Sequence, residues 1–231
     1  MTVYFASPAI RHRVVDGNVI ILDLRSGEYK ILDEVATAMW RLALDGVDRQ
    51  VCVDSLVDQF EAEPVEVAVD LDRFLSDAQA AGLLTQQADL APTPSLRPQS
   101  WPESCLMAGA WWTLLRTKSL LSAKGFAHVY TRLGAYEKPR VKAGDLPVRL
   151  ARAERAFSLA ENFFVMDSAP RDCLPRSLSL YRFLLLAGIP ADHVIGVWRF
   201  PFQAHAWVEC EGNPLFDSPD HTGCYTELSR L

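Results

Sequence analysis

The chain has 231 residues, is 49% hydrophobic and 23% charged, and carries a formal charge of −6 at pH 7. That length has room for two small domains, and no stretch approaches the ~20 consecutive apolar residues of a membrane helix. Residues 1–86 hold 7 Lys+Arg against 15 Asp+Glu, a poor match to the phosphate backbone of a nucleic acid.

The N-terminus, MTVYFASPAIRHRVV, has neither a long apolar segment nor a small-residue cleavage site, so a cytoplasmic, reducing location is expected. The five cysteines, Cys52, Cys105, Cys173, Cys210 and Cys224, are odd in number and scattered, which does not suggest a disulfide framework.

In chain order, the apolar run Asn18–Leu24 reads as a buried strand, Arg25-Ser26-Gly27 as a turn, and Glu28–Asp33 as a second, alternating strand. Three amphipathic helices follow. The first presents Val35, Met39 and Leu42. The second presents Val53, Leu56, Val57 and Phe60, with Asp54 as its cap. The third presents Val67, Leu71, Phe74, Leu75 and Ala78 and stops at Gly82. With a short extended tail at Leu83–Thr85, this order suits a winged-helix-like domain over residues 1–86. Residues 87–102 hold Pro92, Pro94, Pro98 and Pro102. Proline lacks the N–H and fixes φ, so this stretch reads as a linker.

Residues 103–231 begin with helical patterns around Cys105–Thr117 and Leu146–Phe164. Within them, residues 116–155 carry ten basic and three acidic side chains, which reads as a solvated helical surface or, less simply, as a docking face for an acidic partner. A further helix follows Cys173, with Leu174, Leu178, Tyr181 and Leu185 on one face and Gly188 and Pro190 as its stop. Strand-like runs at His193–Phe200, Ala204–Glu209 and Leu215–Asp217 complete an α+β order.

Proline is tolerated only in a first helical turn, so Pro175 places Cys173 at or just before a helix N-terminus. Free N–H groups and the positive end of the macrodipole favour a thiolate there, and the same groups could hold an oxyanion. In Ala204–Glu209, alternation puts His205 and Trp207 on one face and the small apolar residues on the other, so His205 is presented to a cleft. A loop centred on Gly212 sets Asp217 opposite Trp207 and on the face of His205, as the third member of a Cys–His–Asp triad. A one-residue slip turns Asp217 away and leaves Asp220 as the candidate. Taken singly, each residue has a plainer reading: an inert buried thiol for Cys52, Cys105 and Cys210, a structural histidine, a turn-forming aspartate. The spacings among His205, Cys210, His221 and Cys224 fit no standard zinc pattern, so no metal is expected and His221 and Cys224 read as loop residues.

At these residues the chain resembles a known family. The series Cys173-Leu174-Pro175-Arg176-Ser177-Leu178, Ala187-Gly188-Ile189-Pro190, Ile195-Gly196-Val197 and Ala204-His205-Ala206-Trp207-Val208-Glu209 resembles the transglutaminase-like (papain-like) cysteine leader peptidases of lasso peptide biosynthesis, the B proteins. Cys173, His205 and Asp217 match the family's catalytic Cys, His and Asp. The N-terminal segment, through Asp23–Tyr29 and Ala38-Met39-Trp40, is similar to the RiPP recognition element, a PqqD-like peptide-binding domain.

The resemblance implies a ribosomally made precursor peptide as substrate, hydrolysed between leader and core. The leader would add as a strand to Glu28, Tyr29, Lys30, Ile31 and Leu32, with Val67, Asp70, Leu71 and Phe74 as the other wall. Asp70, Asp72 and Asp77 could read basic leader residues or form a solvated face. A separate ATP-dependent lasso cyclase would be the partner. No cofactor is required for the thiol chemistry itself, and any dependence on ATP would come through the cyclase. A non-catalytic peptide carrier and an acyl transferase are the alternatives.

Overall fold

The computed structural model describes residues 3–87, 95–96, 102–142, 144–163 and 173–231. The linker expected over residues 87–102 lies outside them except for Gln87, Ser95, Leu96 and Pro102, as do Arg171, Asp172 and the expected helix end at Phe164. The chain divides into two compact units, residues 1–92 and 93–231.

The first unit runs β1 (Phe5–Ala6), β2 (Ile10–Val15), β3 (Asn18–Asp23), β4 (Tyr29–Ile31), α1 (Glu34–Leu44), α2 (Arg49–Phe60), α3 (Pro64–Ala80) and β5 (Leu84–Thr85). β3 is the central strand of an antiparallel β2-β3-β4 sheet. Its residues from Val19 to Asp23 are all buried, which explains its unbroken apolar run. β2 escaped the sequence reading because only its ends are buried, and its middle, His12-Arg13-Val14, faces solvent. β1 and β5 pair and tie the start of the unit to its end.

Two caps differ from expectation. The second strand stops at Ile31 because Asp33 turns to cap α1, its Oδ1 accepting from Ala36 N–H at 2.8 Å. α2 begins earlier than its apolar stripe, capped by Asp48, which accepts from Gln50 N–H at 3.0 Å. Asp54, expected as that cap, lies inside the helix and accepts from the Gln50 side chain at 2.9 Å.

The second unit contains a 3₁₀ turn (Glu103–Cys105), α4 (Leu106–Gly134, broken at Gly125), α5 (Leu146–Glu161), α6 (Cys173–Leu186), β6 (Asp192–Trp198), β7 (Gln203–Cys210), β8 (Asn213–Leu215), α7 (Pro219–Thr222) and β9 (Thr226–Arg230). The sheet order is β8-β7-β6-β9, antiparallel throughout. The expected meander covers β6, β7 and β8. β9, missed because Thr226-Glu227-Leu228-Ser229-Arg230 is short and mostly polar, returns to pair with the far side of β6. Leu96, from the expected linker, is part of this unit and bridges Tyr136, with Leu96 N–H donating to Ala135 O at 2.7 Å.

α6 was expected to bury one face. It buries Ser177 to Tyr181 and Phe183 to Leu185, with Arg182 half-buried between them, because α4 packs on one side of it and the sheet on the other. A central helix has no solvent side over most of its length. Its N-terminal turn, Cys173 to Arg176, is partly exposed, as are Arg182 and Leu186 further along.

The polar residues in this interior have specific partners. His193, on β6, is fully buried, and its Nε2 lies 2.9 Å from Ser177 Oγ on α6. Its Nδ1 has no partner among the described residues. Burial pushes its pKa down to about 3. The folded value lies below the unfolded one, so the unfolded chain binds the extra proton first. Stability is therefore expected to fall by roughly 1.4 kcal/mol per pH unit as pH drops below that of free histidine, until the folded-state value is reached. Urea unfolding of the second unit's transition at two acidic pH values checks this. His193→Gln is expected to flatten the pH slope, whatever its effect on absolute stability.

Candidate active site

α6 positions Cys173 at its first residue, with Leu174 and Pro175 completing the opening turn. Pro175 has no N–H to waste at a position where no carbonyl of the helix is available to accept one. Ser177 and Ser179 sit one turn on, their hydroxyls donating to Leu174 O at 3.1 Å and Pro175 O at 2.7 Å. Arg176 clamps this turn in place. Its guanidinium makes a two-point contact with Glu161 at the end of α5, at 2.6 and 3.0 Å, and lies 5.3 Å from the centre of the Phe216 ring.

β7 presents His205 on the face expected for it, together with Trp207. That face is more covered than alternation implied. The imidazole stacks on Trp207, with centroids 5.7 Å apart and planes 18° apart, and meets Tyr225 at 5.4 Å. Its side chain is only 18% exposed. The strand neighbour of His205 across the sheet is Gly196 on β6. A Cβ there would stand 2.8 Å from both the Trp207 ring and Tyr225 Cβ, so only glycine leaves room for this aromatic cover.

Asp217 reaches His205 by a different route from the one expected. The β7–β8 hairpin has a two-residue loop, Glu211-Gly212, with both φ values positive, at 51° and 77°, as a tight hairpin turn requires. The resulting pairs are Val208 with Leu215 and Cys210 with Asn213. This register is one residue away from a loop centred on Gly212, and if β8 continued it would set Asp217 opposite Ala206, on the wrong face. β8 ends at Leu215 instead. Phe216 adopts a left-handed φ of 57°, which reverses the alternation and swings Asp217 back.

The Asp217 carboxylate then lies between two imidazoles. Oδ2 is 2.6 Å from His205 Nε2, and Oδ1 is 2.8 Å from His221 Nδ1 and accepts the Ser218 N–H at 2.9 Å. Burial pushes the carboxyl pKa up, but the hydrogen bonds from His205, His221 and the Ser218 amide outweigh it, and the group is held below its ordinary value. Burial also raises the Tyr225 hydroxyl, and the negative charges of Asp217, Cys173 and Cys224 add to that shift. With Nε2 turned to Asp217, Nδ1 is the ring nitrogen of His205 left to face a thiol.

Cys173, Arg176, His205, Phe216 and Asp217 line one small cavity of about 40 Å³ between the start of α6 and the β7–β8 arm. His221, read as a loop residue, lies on the short helix α7 and is part of the group. Its only sequence signal was the four-residue spacing from Asp217 on a Ser218-Pro219 helix start. The ligand atoms of His205, Asp217 and His221 fall within 4.8 Å of one another, and they are already joined by hydrogen bonds. Cys210 is not in this group. It is buried on β7, its thiol 3.2 Å from Pro190 O and its pKa raised by burial. Cys52 is likewise buried, whereas Cys105, expected to be an inert buried thiol, is exposed.

The residues expected to receive a leader all lie in the first unit. β4 is the end strand of its sheet, with Glu28, Lys30 and Ile31 exposed and Tyr29 and Leu32 half-buried. On α3, Asp70 is exposed and Phe74 is half-buried, and both Phe74 and Leu32 pack against the cluster around Ile21 and Trp40. Val67 and Leu71 belong to the core beneath, with Met39, Cys52, Val53 and Leu56. Asp70 pairs with Arg73 at 3.2 Å and Asp72 with Arg49 at 2.6 Å.

A family model for the transglutaminase-like superfamily matches residues 111–230, and one for coenzyme PQQ synthesis protein D (PqqD) matches residues 18–84. The chain is 40% identical over 57 residues to the microcin J25-processing protein McjB of Escherichia coli. That stretch is 25% of this chain and 27% of McjB, so the likeness spans about a quarter of the relative. Among solved structures, TbiB1 in complex with the TbiA(beta) leader peptide is 30% identical, covering 36% of this chain and 98% of that one, with a TM-score of 0.33. Lasso peptide synthetase B1 complexed with the leader peptide is 24% identical, covering 36% and 96%, with a TM-score of 0.34. Among the described residues, no helix is long and apolar enough to cross a membrane. With a PqqD-like first unit and more than half of its residues matching the transglutaminase-like model, the chain belongs to the transglutaminase-like superfamily.

Proposed function

We propose that this chain is a leader peptidase of lasso peptide maturation, which holds a precursor peptide by its leader and hydrolyses the leader–core bond with Cys173. The observation that carries this reading is the meeting of Cys173, His205 and Asp217 at one cavity, with His205 hydrogen-bonded to Asp217 at 2.6 Å. The local identity to a microcin-processing protein and the PqqD-like first unit support the choice of substrate.

In this mechanism His205 Nδ1 takes the Cys173 proton, and the thiolate attacks the scissile carbonyl carbon. The N–H groups of the first turn of α6 receive the oxyanion. His205 returns its proton to the departing core amine as the C–N bond breaks, leaving the leader as a thioester on Cys173. A water, deprotonated by His205, then attacks the thioester carbonyl and releases the leader carboxylate and the thiol. Asp217 holds the imidazole in orientation and stabilises its cationic form. The freed amine is the nucleophile that a separate ATP-dependent cyclase would join to an Asp or Glu side chain of the core. None of the hydrolytic steps uses ATP.

Leader docking is assigned to the exposed edge of β4, with Leu32 and Phe74 flooring the groove. Ile31→Pro removes one edge N–H and distorts that strand. The expected result is a loss of leader affinity of about tenfold or more, measured by calorimetry against a synthetic leader on a variant that circular dichroism shows to be folded. Unchanged affinity would place the leader elsewhere.

A further inference from the structure

Asp217 has an unusual support. The residue before it is left-handed and the strand pairing that could have fixed it has ended at Leu215, so backbone ladder bonds do not set its side chain. What does set it is a hydrogen bond to Oδ1 from the ring of His221 at 2.8 Å and another from the Ser218 N–H at 2.9 Å. These two donors occupy Oδ1 and leave Oδ2 aimed at His205. A carboxylate held at only one oxygen can rotate about its χ2, and such a rotation would break the bond to His205.

We infer that His221 is a positioning residue for the Cys173–His205 pair, acting through Asp217 as the second imidazole of a His205–Asp217–His221 relay. This rests on the peptidase reading above and deepens it. His221 is half exposed and does not line the cavity of Cys173; its ring also meets that of His205, with centroids 4.9 Å apart, but its hydrogen bond goes to Asp217, through which it orients the pair. α7 is built to aim it. Ser218 caps the helix by accepting the His221 N–H at 3.1 Å, and Pro219 opens the first turn, which brings His221 back over Asp217 four residues earlier. Tyr225 closes the other side, its ring 5.4 Å from both histidines. The remaining ionisable residues of this loop are Asp220 and Cys224, and the Cys224 thiol donates to the Asp220 backbone carbonyl at 3.2 Å.

The required property is a ring N–H at one place, not a positive charge. Asparagine carries its amide nitrogen close to where histidine carries Nδ1, so His221→Asn keeps the donor, while His221→Ala removes it. The test is the rate at which iodoacetamide alkylates Cys173 in the full chain as a function of pH, read by peptide mass spectrometry, alongside kcat and KM for precursor cleavage. The expected result for His221→Ala is an alkylation rate about tenfold lower at neutral pH and a matching loss in kcat with KM unchanged. His221→Asn is expected to return both to within about threefold of wild type. An alanine variant whose alkylation profile superposes on that of wild type would overturn the inference. So would a loss that asparagine does not rescue in a folded protein. Failure of the peptidase reading looks different, because wild-type Cys173 would then react no faster than exposed Cys105 and Cys224.

Discussion

Cys173→Ala is expected to abolish cleavage of a precursor peptide, by at least about a thousandfold, while leader affinity stays at the wild-type level. The separation follows from the chain's construction: Cys173 opens α6 in one compact unit, and the residues assigned to the leader lie in the other. Removing the sulfur deletes the nucleophile without disturbing a core, because Cys173 is only half-buried at a helix end. In the wild type, iodoacetamide is expected to label Cys173 first. Cys52 and Cys210 are buried, with thiols shifted up by desolvation, and neither offers a thiolate at neutral pH. Cys105 and Cys224 are exposed, so their slower labelling would report activation of Cys173 and not mere access. Full activity in the alanine variant would remove Cys173 from the chemistry.

His205→Ala is expected to match the loss in Cys173→Ala, since thiolate formation, amine departure and water activation all pass through one imidazole. Asp217→Asn is expected to lose less, about ten- to a hundredfold in kcat, because the Cys–His pair remains while its orientation and the charge that favours imidazolium are weakened. Its amide can still accept through one atom but cannot accept from His205 and His221 together at both oxygens. Single-turnover cleavage of the three variants separates these outcomes. If Asp217→Asn equalled wild type, the hydrogen bond at 2.6 Å would be structural only.

Much of this site could be read in the sequence, and the parts that could not have definite causes. Pro175 placed Cys173 at a helix start, because proline has few positions open to it, and the structure begins α6 there. His205 fell on the right strand face by alternation alone. The register to Asp217 was misjudged, since a loop of two residues after Cys210 in place of three changes every pairing by one. Asp217 nevertheless arrives beside His205, because the left-handed Phe216 compensates for the register, and no periodicity announces such a residue. His221 was passed over because short loop helices carry no apolar stripe. The N-terminal strand β2 was missed for a related reason: an edge strand with an exposed middle loses its alternation. Buried His193 was equally silent, since its partner Ser177 is sixteen residues away and one element distant.

The most direct measurement is to incubate the full chain with its cognate precursor peptide in water enriched in ¹⁸O and to weigh the products by mass spectrometry. Hydrolysis by Cys173 predicts two fragments, a core with a free amine and a leader whose new carboxylate carries one ¹⁸O, both absent with Cys173→Ala. An intact precursor after long incubation would contradict the account, as would a leader fragment joined to an added amine without ¹⁸O, which is the product of an acyl transferase.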